Sequence, residues 1–183
     1  MLYPALVQSE EELNQVLRLQ QENHIENINR NEMQSQGFVT LRHDIDTLRQ
    51  MHNLAASVII KENDTVVAYA LTMLRECRRL IPDLESMFAL FDNLNWQNNP
   101  LNSYRFYVMG QVCIAKAFRG KGLFEQLYNH HREIYQSQFD LLVTEISTRN
   151  HRSLRAHEKV GFKAIHTHHD NLDEWKVVGW DWR

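Results

Sequence analysis

Arg119-Gly120-Lys121-Gly122 sets two cations among two of the chain's six glycines. It follows a run fit for a buried strand, QVCI (111–114), and precedes a helical pattern, LFEQLY (123–128). At such a junction the first-turn N–H groups of the helix lack main-chain partners, and the positive end of its dipole faces outward. Glycine lets an anion approach the main chain, and Arg119 and Lys121 add charge. Residues 120 to 124 therefore read as a phosphate cradle, with an exposed turn as the competing reading. Glu145, in LLVTEIST, alternates with Leu141 and Val143. Apolar surroundings should raise its pKa, which suits a base working near neutrality; a structural salt bridge is the alternative. HTHHD (166–170) has histidines alternating along a strand and no Cys to complete a zinc set, so no metal is expected. His130 and His131 fall late on a helix and read as solvated. Cys113 reads as a core-facing thiol rather than a nucleophile.

These groups need a scaffold, and hydrophobic periodicity supplies one. Leu2 to Val7 reads as a short strand. Ser9 with Glu12 three residues on is a capping-box pattern opening a helix through Leu13, Val16, Leu17 and Gln20. Residues 21 to 53 are polar, helical in parts and interrupted by GFVTL (37–41). LAASVIIKE and TVVAYALTML flank Asn63-Asp64 and predict a hairpin from Leu54 to about Leu74. In residues 75–104, Pro82 suits a first helical turn, and Leu84, Met87, Phe88 and Phe91 share a face. That helical insertion reads as a lid, a dimer contact or ordinary core. RFYVMGQVCI (105–114) is apolar on both faces, as a central strand is, with Gly110 available for a bulge. A helix over 121–137, the strand DLLVTEIST, a helix from Asn150 to Lys159 closed by Gly161, and strands over 162–168 and 175–182 complete the order.

At 183 residues and 43% apolar side chains, with no composition shift, the chain reads as one domain spanning 1–183. A net charge of −3 argues against a broad nucleic-acid-binding surface. No apolar run approaches the length of a membrane span, and the N-terminal residues lack a secretory pattern, so the cytoplasm is the expected compartment. Two cysteines, Cys77 and Cys113, do not make a disulfide framework.

The order of strand, RGKG, helix, strand, Asn-led helix, Gly-Phe and strand resembles the GNAT superfamily of acyl-CoA N-acyltransferases, closely over 105–165. The loop signature Arg/Gln-x-x-Gly-x-Gly/Ala is met by Arg119 and Gly122, with Phe124 at the sixth position in place of a small residue. The second signature appears as Asn150, Ser153, His157, Gly161 and Phe162, with His157 where the family has Tyr. The resemblance implies an α/β fold: a mixed sheet of six to seven strands, two central strands splayed apart, and flanking helices. It implies acetyl-CoA as co-substrate, held by Arg119, Gly120, Lys121, Gly122, Leu123, Phe124 and Asn150, with the pantetheine arm along Val112, Cys113 and Ile114. A main-chain N–H, most simply that of Val112, would meet the developing oxyanion. Glu145 would accept the ammonium proton, and His157 would protonate the leaving thiolate or merely pack beside the cofactor. The acceptor would be a primary amine of a small molecule or peptide, with residues 21–41 and 166–176 walling its channel. Asp170, Asp173 and Glu174 could draw in an ammonium group. The alternative function is a CoA-binding sensor that has lost efficient chemistry.

Overall fold

Ser9 opens the first helix, α1 (Glu10–Asn23), its hydroxyl accepting from the Glu12 N–H at 3.3 Å. Glu12 reaches back to the Gln8 N–H (2.7 Å) and pairs through its other oxygen with Lys61 (2.7 Å), both side chains being largely buried. A capping device thus also fastens α1 to the sheet. The computed structural model describes residues 1–28 and 38–183. Most of the segment GFVTL lies inside that range, but Gly37 and residues 29–36 before it lie outside.

The strands are β1 (Leu2–Leu6), β2 (Val58–Glu62), β3 (Thr65–Met73), a two-residue pair β4 (Asn95–Trp96) and β5 (Asn99–Pro100), β6 (Phe106–Ile114), β7 (Leu141–Ser147), β8 (Lys163–His169) and β9 (Glu174–Asp181). The helices after α1 are α2 (Ile45–Leu54), α3 (Glu85–Phe91), α4 (Leu123–Tyr135) and α5 (His151–Val160). Seven strands form one mixed sheet in the order β1-β2-β3-β6-β7-β9-β8, antiparallel except at β6–β7. One apolar cluster, with α1, α2 and α3, covers one face, and a second, with α4, covers the other.

The hairpin turns at Asn63, whose φ is +55°, as expected. It begins later than its apolar run. The Asp44 side chain caps α2 through the Thr47 N–H (2.7 Å), and Leu48 and Met51 bury a helical face, so Leu54 ends a helix instead of starting a strand. The cap and the buried stripe outweigh the strand propensity of the following residues.

Gly110 does form part of a bulge. Ala70 pairs with Val112 and Thr72 with Met109, so Leu71 faces two residues of β6, Gly110 and Gln111. A Cβ on Gly110 would lie 2.7 Å from the Met73 Cε. The parallel pair is short: Phe106, Tyr107 and Val108 pair with Leu141, Leu142 and Val143. The Thr144 hydroxyl then donates to the Met109 carbonyl (3.0 Å). Beyond that bond, β6 runs on to Ile114 and β7 to Ser147 unpaired with each other, leaving the splay that the resemblance implies.

The apolar face of residues 75–104 is spent inside the molecule. Met87, Phe88, Phe91, Trp96 and Leu101 join the cluster that holds Leu13, Val16 and Leu71. This is ordinary core packing among the readings open to it.

His131 corrects the sequence reading. It is fully buried on α4, donates from Nε2 to the Ala70 carbonyl (3.1 Å) and accepts the Tyr107 hydroxyl at Nδ1 (3.0 Å). Leu127 and Tyr135, four residues either side, lie in the same buried stripe, which outweighs any benefit of charge near the helix end. Burial pushes its pKa down to about 3. No helix among the described residues is long and apolar enough to cross a membrane.

Candidate active site

β6 delivers the chain to the cradle. After Ile114 a short 3₁₀ turn (Lys116–Phe118) leads to Arg119, and Gly120 and Gly122 take φ of +77° and +75°. Gly122 is the residue from which α4 starts. A Cβ at either glycine would meet nothing within 4 Å beyond its chain neighbours, so open space lies beside the start of α4, where an anion can approach. The Arg119 Nε donates to the Ile114 carbonyl (3.1 Å), and its guanidinium also holds the Asn23 side-chain oxygen at the end of α1.

The cradle opens into a cavity of about 380 Å³. Val112, Cys113, Ile114, Arg119, Gly120, Gly122, Leu123, Phe124 and Asn150 all line it. Lys121 does not: its ammonium lies 4.6 Å from the centre of the Phe118 ring instead. Asn150 caps α5 by accepting the Ser153 N–H at 3.2 Å. Sequence reasoning missed Glu125, Arg152, Ala156 and Lys159 in the lining, and placed Asn23, Phe38 and Val39 only within residues 21–41 as an acceptor wall. Arg152, Ala156 and Lys159 recur at four- and three-residue steps on α5 and could have been found by helical spacing. Asn23 carries no such signal. Cys113 lines the cavity with its thiol pushed up to about 12 by burial, so it is no thiolate near neutrality.

Glu145 does not line the cavity. It lies on β7 just past the closing Thr144 bond, its side chain 13% exposed, and its Oε2 is 2.7 Å from the His168 Nε2. Burial raises its pKa, and the His168 hydrogen bond opposes that rise. Both sequence-level readings of Glu145 are therefore present in one group: a carboxyl of raised pKa, and a paired one.

His157 is 2% exposed and also outside the lining. Its Nδ1 faces the Ser153 carbonyl (2.8 Å), and its Nε2 faces the Tyr128 hydroxyl (2.5 Å). Only an Nδ1–H tautomer satisfies both, with Tyr128 donating. Burial pushes the pKa of His157 down to about 4, so near pH 7 it has no proton to give. The Phe124 ring packs edge-on against His157, centroids 4.9 Å apart. The two departures from the signature residues are thus neighbours: Phe124 fills the space beside an imidazole turned toward Tyr128.

The charged turn is also committed. Asp170 accepts the Leu172 and Asp173 N–H groups, Asp173 holds Ser147 and Arg149, and Glu174 pairs with His169. Among the described residues, no three His, Cys, Asp or Glu side chains gather as a metal site.

The sequence profile of the acetyltransferase (GNAT) family matches residues 14–162. The chain belongs to that family. Its fold is that of GNAT structures. The ribosomal-protein-S18-alanine N-acetyltransferase from Escherichia coli aligns at 11% identity over 99% of this chain and 94% of its own, with TM-score 0.66. The Salmonella typhimurium protein yncA, solved with its cofactor acetyl-CoA, aligns at 13% identity over 100% and 94%, with TM-score 0.63. An N-acetyltransferase from Staphylococcus aureus aligns at 16% identity over 100% and 99%, with TM-score 0.62. At these identities the likeness is one of fold. No curated protein matches the chain significantly.

Gly122→Val tests the GNAT cradle. A β-branched residue at φ +75° is strained, by about 1–3 kcal/mol, and its side chain enters the space before the N–H groups. Calorimetric titration should show CoA binding weakened by about thirtyfold or more, with the protein folded by circular dichroism. Unchanged affinity would remove the cradle.

Proposed function

We propose that this GNAT protein is an N-acetyltransferase that moves an acetyl group from acetyl-CoA to a primary amine of a small molecule or peptide. The observation that carries this reading is the splay itself: β6 and β7 part just past Thr144, with the glycine cradle at the open end of β6 and the largely covered Glu145 carboxyl on β7. Acetyl-CoA supplies the activated thioester. The first-turn N–H groups of α4 and Arg119 hold its pyrophosphate, and the free edge of Val112–Ile114 takes the pantetheine arm. The Val112 N–H stabilises negative charge on the acyl oxygen. Glu145 accepts the ammonium proton, aided by its raised pKa. His157, neutral and turned to Tyr128, shapes the wall behind Phe124 and supplies no proton.

A second reading, a CoA-binding sensor, is favoured by that same neutral His157. Free-thiol release from acetyl-CoA, followed against a panel of primary amines, amino-terminal peptides and lysine peptides, separates the two. At least one acceptor should stimulate release above the rate without amine. Tight CoA binding with no stimulation by any of them would support the sensor.

A further inference from the structure

His168 is the partner that the geometry gives Glu145, and a backbone irregularity puts it there. β8 pairs with β9 as Lys163↔Gly179 and Ala164↔Val178, then shifts so that His166, not Ile165, faces Val177. Val177 in turn faces Glu145 across β9–β7. In a regular ladder the alternation of side chains would turn His166 and His168 to the opposite face, since a one-residue slip flips every side chain. The bulge at Ile165 brings both imidazoles to the face that holds Glu145. They stack there, centroids 6.2 Å apart and planes at 11°, and the His168 Nε2 lies 2.7 Å from the Glu145 Oε2.

We propose that His168 is a positioning residue for the transfer, donating from Nε2 to one oxygen of Glu145 so that the other is presented to the incoming ammonium group. This inference rests on Glu145 being the proton acceptor. The pair suits that task. Glu145 is 13% exposed and could swing or protonate if left alone; a single donor on Oε2 fixes the carboxylate plane. Among the described residues Oε1 takes no hydrogen bond, which leaves it for substrate. The groups whose charge acts on Glu145 are His168, when it carries a second proton, and, with opposite sign, Asp170. His166 stacks on His168 and lies across Val177 from Glu145. One step along β7, Ser147 is engaged by Asp173, which Arg149 neutralises, so that group adds no donor.

Loss of the donor has a definite sign. A carboxylate stripped of its hydrogen bond binds protons more readily, so its pKa rises further. The test follows the Glu145 carboxyl carbon by ¹³C NMR in the full chain, assigned by its disappearance in Glu145→Gln, in wild type, His168→Phe and His168→Gln. CoA binding by calorimetry checks that each variant is folded. Glu145 should titrate about one pH unit higher in His168→Phe, and His168→Gln, which keeps an N–H donor, should return most of that shift. With an amine that stimulates thiol release, the acid limb of kcat/KM should move up by the same amount in His168→Phe, with KM for acetyl-CoA unchanged. An unmoved titration, or a moved titration with an unmoved acid limb, would overturn the positioning role. A moved titration with no amine-stimulated release in wild type would instead overturn the transfer reading and leave the pairing standing.

Discussion

Glu145→Gln will lower amine-dependent acetyl transfer by about 10²–10⁴-fold, the usual worth of a positioned general base, while leaving CoA affinity as it is. The amide has the shape of the carboxyl and can still accept the His168 N–H, so geometry is kept and only proton capture is lost. Glu145 lies outside the cavity lining, so cofactor binding has no reason to change. The pH profile carries the sharper signature. Because burial raises the Glu145 pKa, the wild-type acid limb should lie above the ordinary carboxylate range, and the variant's residual rate should lack it. The same shift fixes the sign for stability. A carboxyl whose folded pKa exceeds its unfolded one lends stability that is fully present below the unfolded value and is lost as pH rises through the folded value. At pH 7 the ionised Glu145 is therefore a cost to the fold, and Glu145→Gln should melt at or above the wild-type temperature. A slower and no less stable enzyme is the trade expected of a functional group held in an unfavourable place. Thiol release at the wild-type rate, with an unaltered pH profile, would remove Glu145 from the chemistry.

The parts legible in the sequence are those set by local rules. Asn63 at a hairpin turn, Ser9 and Asn150 as helix caps, and Gly120 and Gly122 at positive φ each answer a requirement of their own few residues. The splay was legible only through resemblance, since no local pattern says where a parallel pair stops. The partners of the histidines went unread for a physical reason. An imidazole on a helix can face water or core, and which it does depends on partners far along the chain: Tyr107 for His131, 24 residues away, and Tyr128 for His157, 29 away. The Glu145–His168 pair needed two strand registers and a bulge at Ile165, none of which alternation of side chains reveals. Lys121 was read from its charge alone, and its ammonium lies over the Phe118 ring, outside the cavity lining.

Those buried histidines predict a steep acid instability. Burial holds His157 and His43, which is buried just before the Asp44 cap of α2, at about 4 and His131 at about 3, against 6.5 for the free side chain. A histidine with a lowered folded pKa lends stability that is fully present above about pH 6.5 and drains away as pH falls toward the folded value, because the unfolded chain binds the proton first. Each pH unit in that window removes about 1.4 kcal/mol per group. At pH 4.5, each of the three has cost a little under 3 kcal/mol, and together about 8 kcal/mol, which is comparable with the whole stability of an ordinary domain. Urea unfolding followed by circular dichroism should therefore show stability falling between pH 6.5 and 4.5 with a slope of up to three protons, reduced where Glu145, whose folded pKa is raised, takes up its own proton, and ending in acid unfolding within or just below that window. The paired carboxylates Asp92, Asp140 and Asp173, held below their usual range, add their losses only at lower pH. His157→Gln isolates one contribution. It can still accept the Tyr128 hydroxyl through its amide oxygen, so it should fold, and its slope should drop by about one proton. A stability that is flat from pH 7 to 4.5 would mean that these imidazoles reach solvent or find acid partners, and the neutral His157 invoked at the site would fall with them.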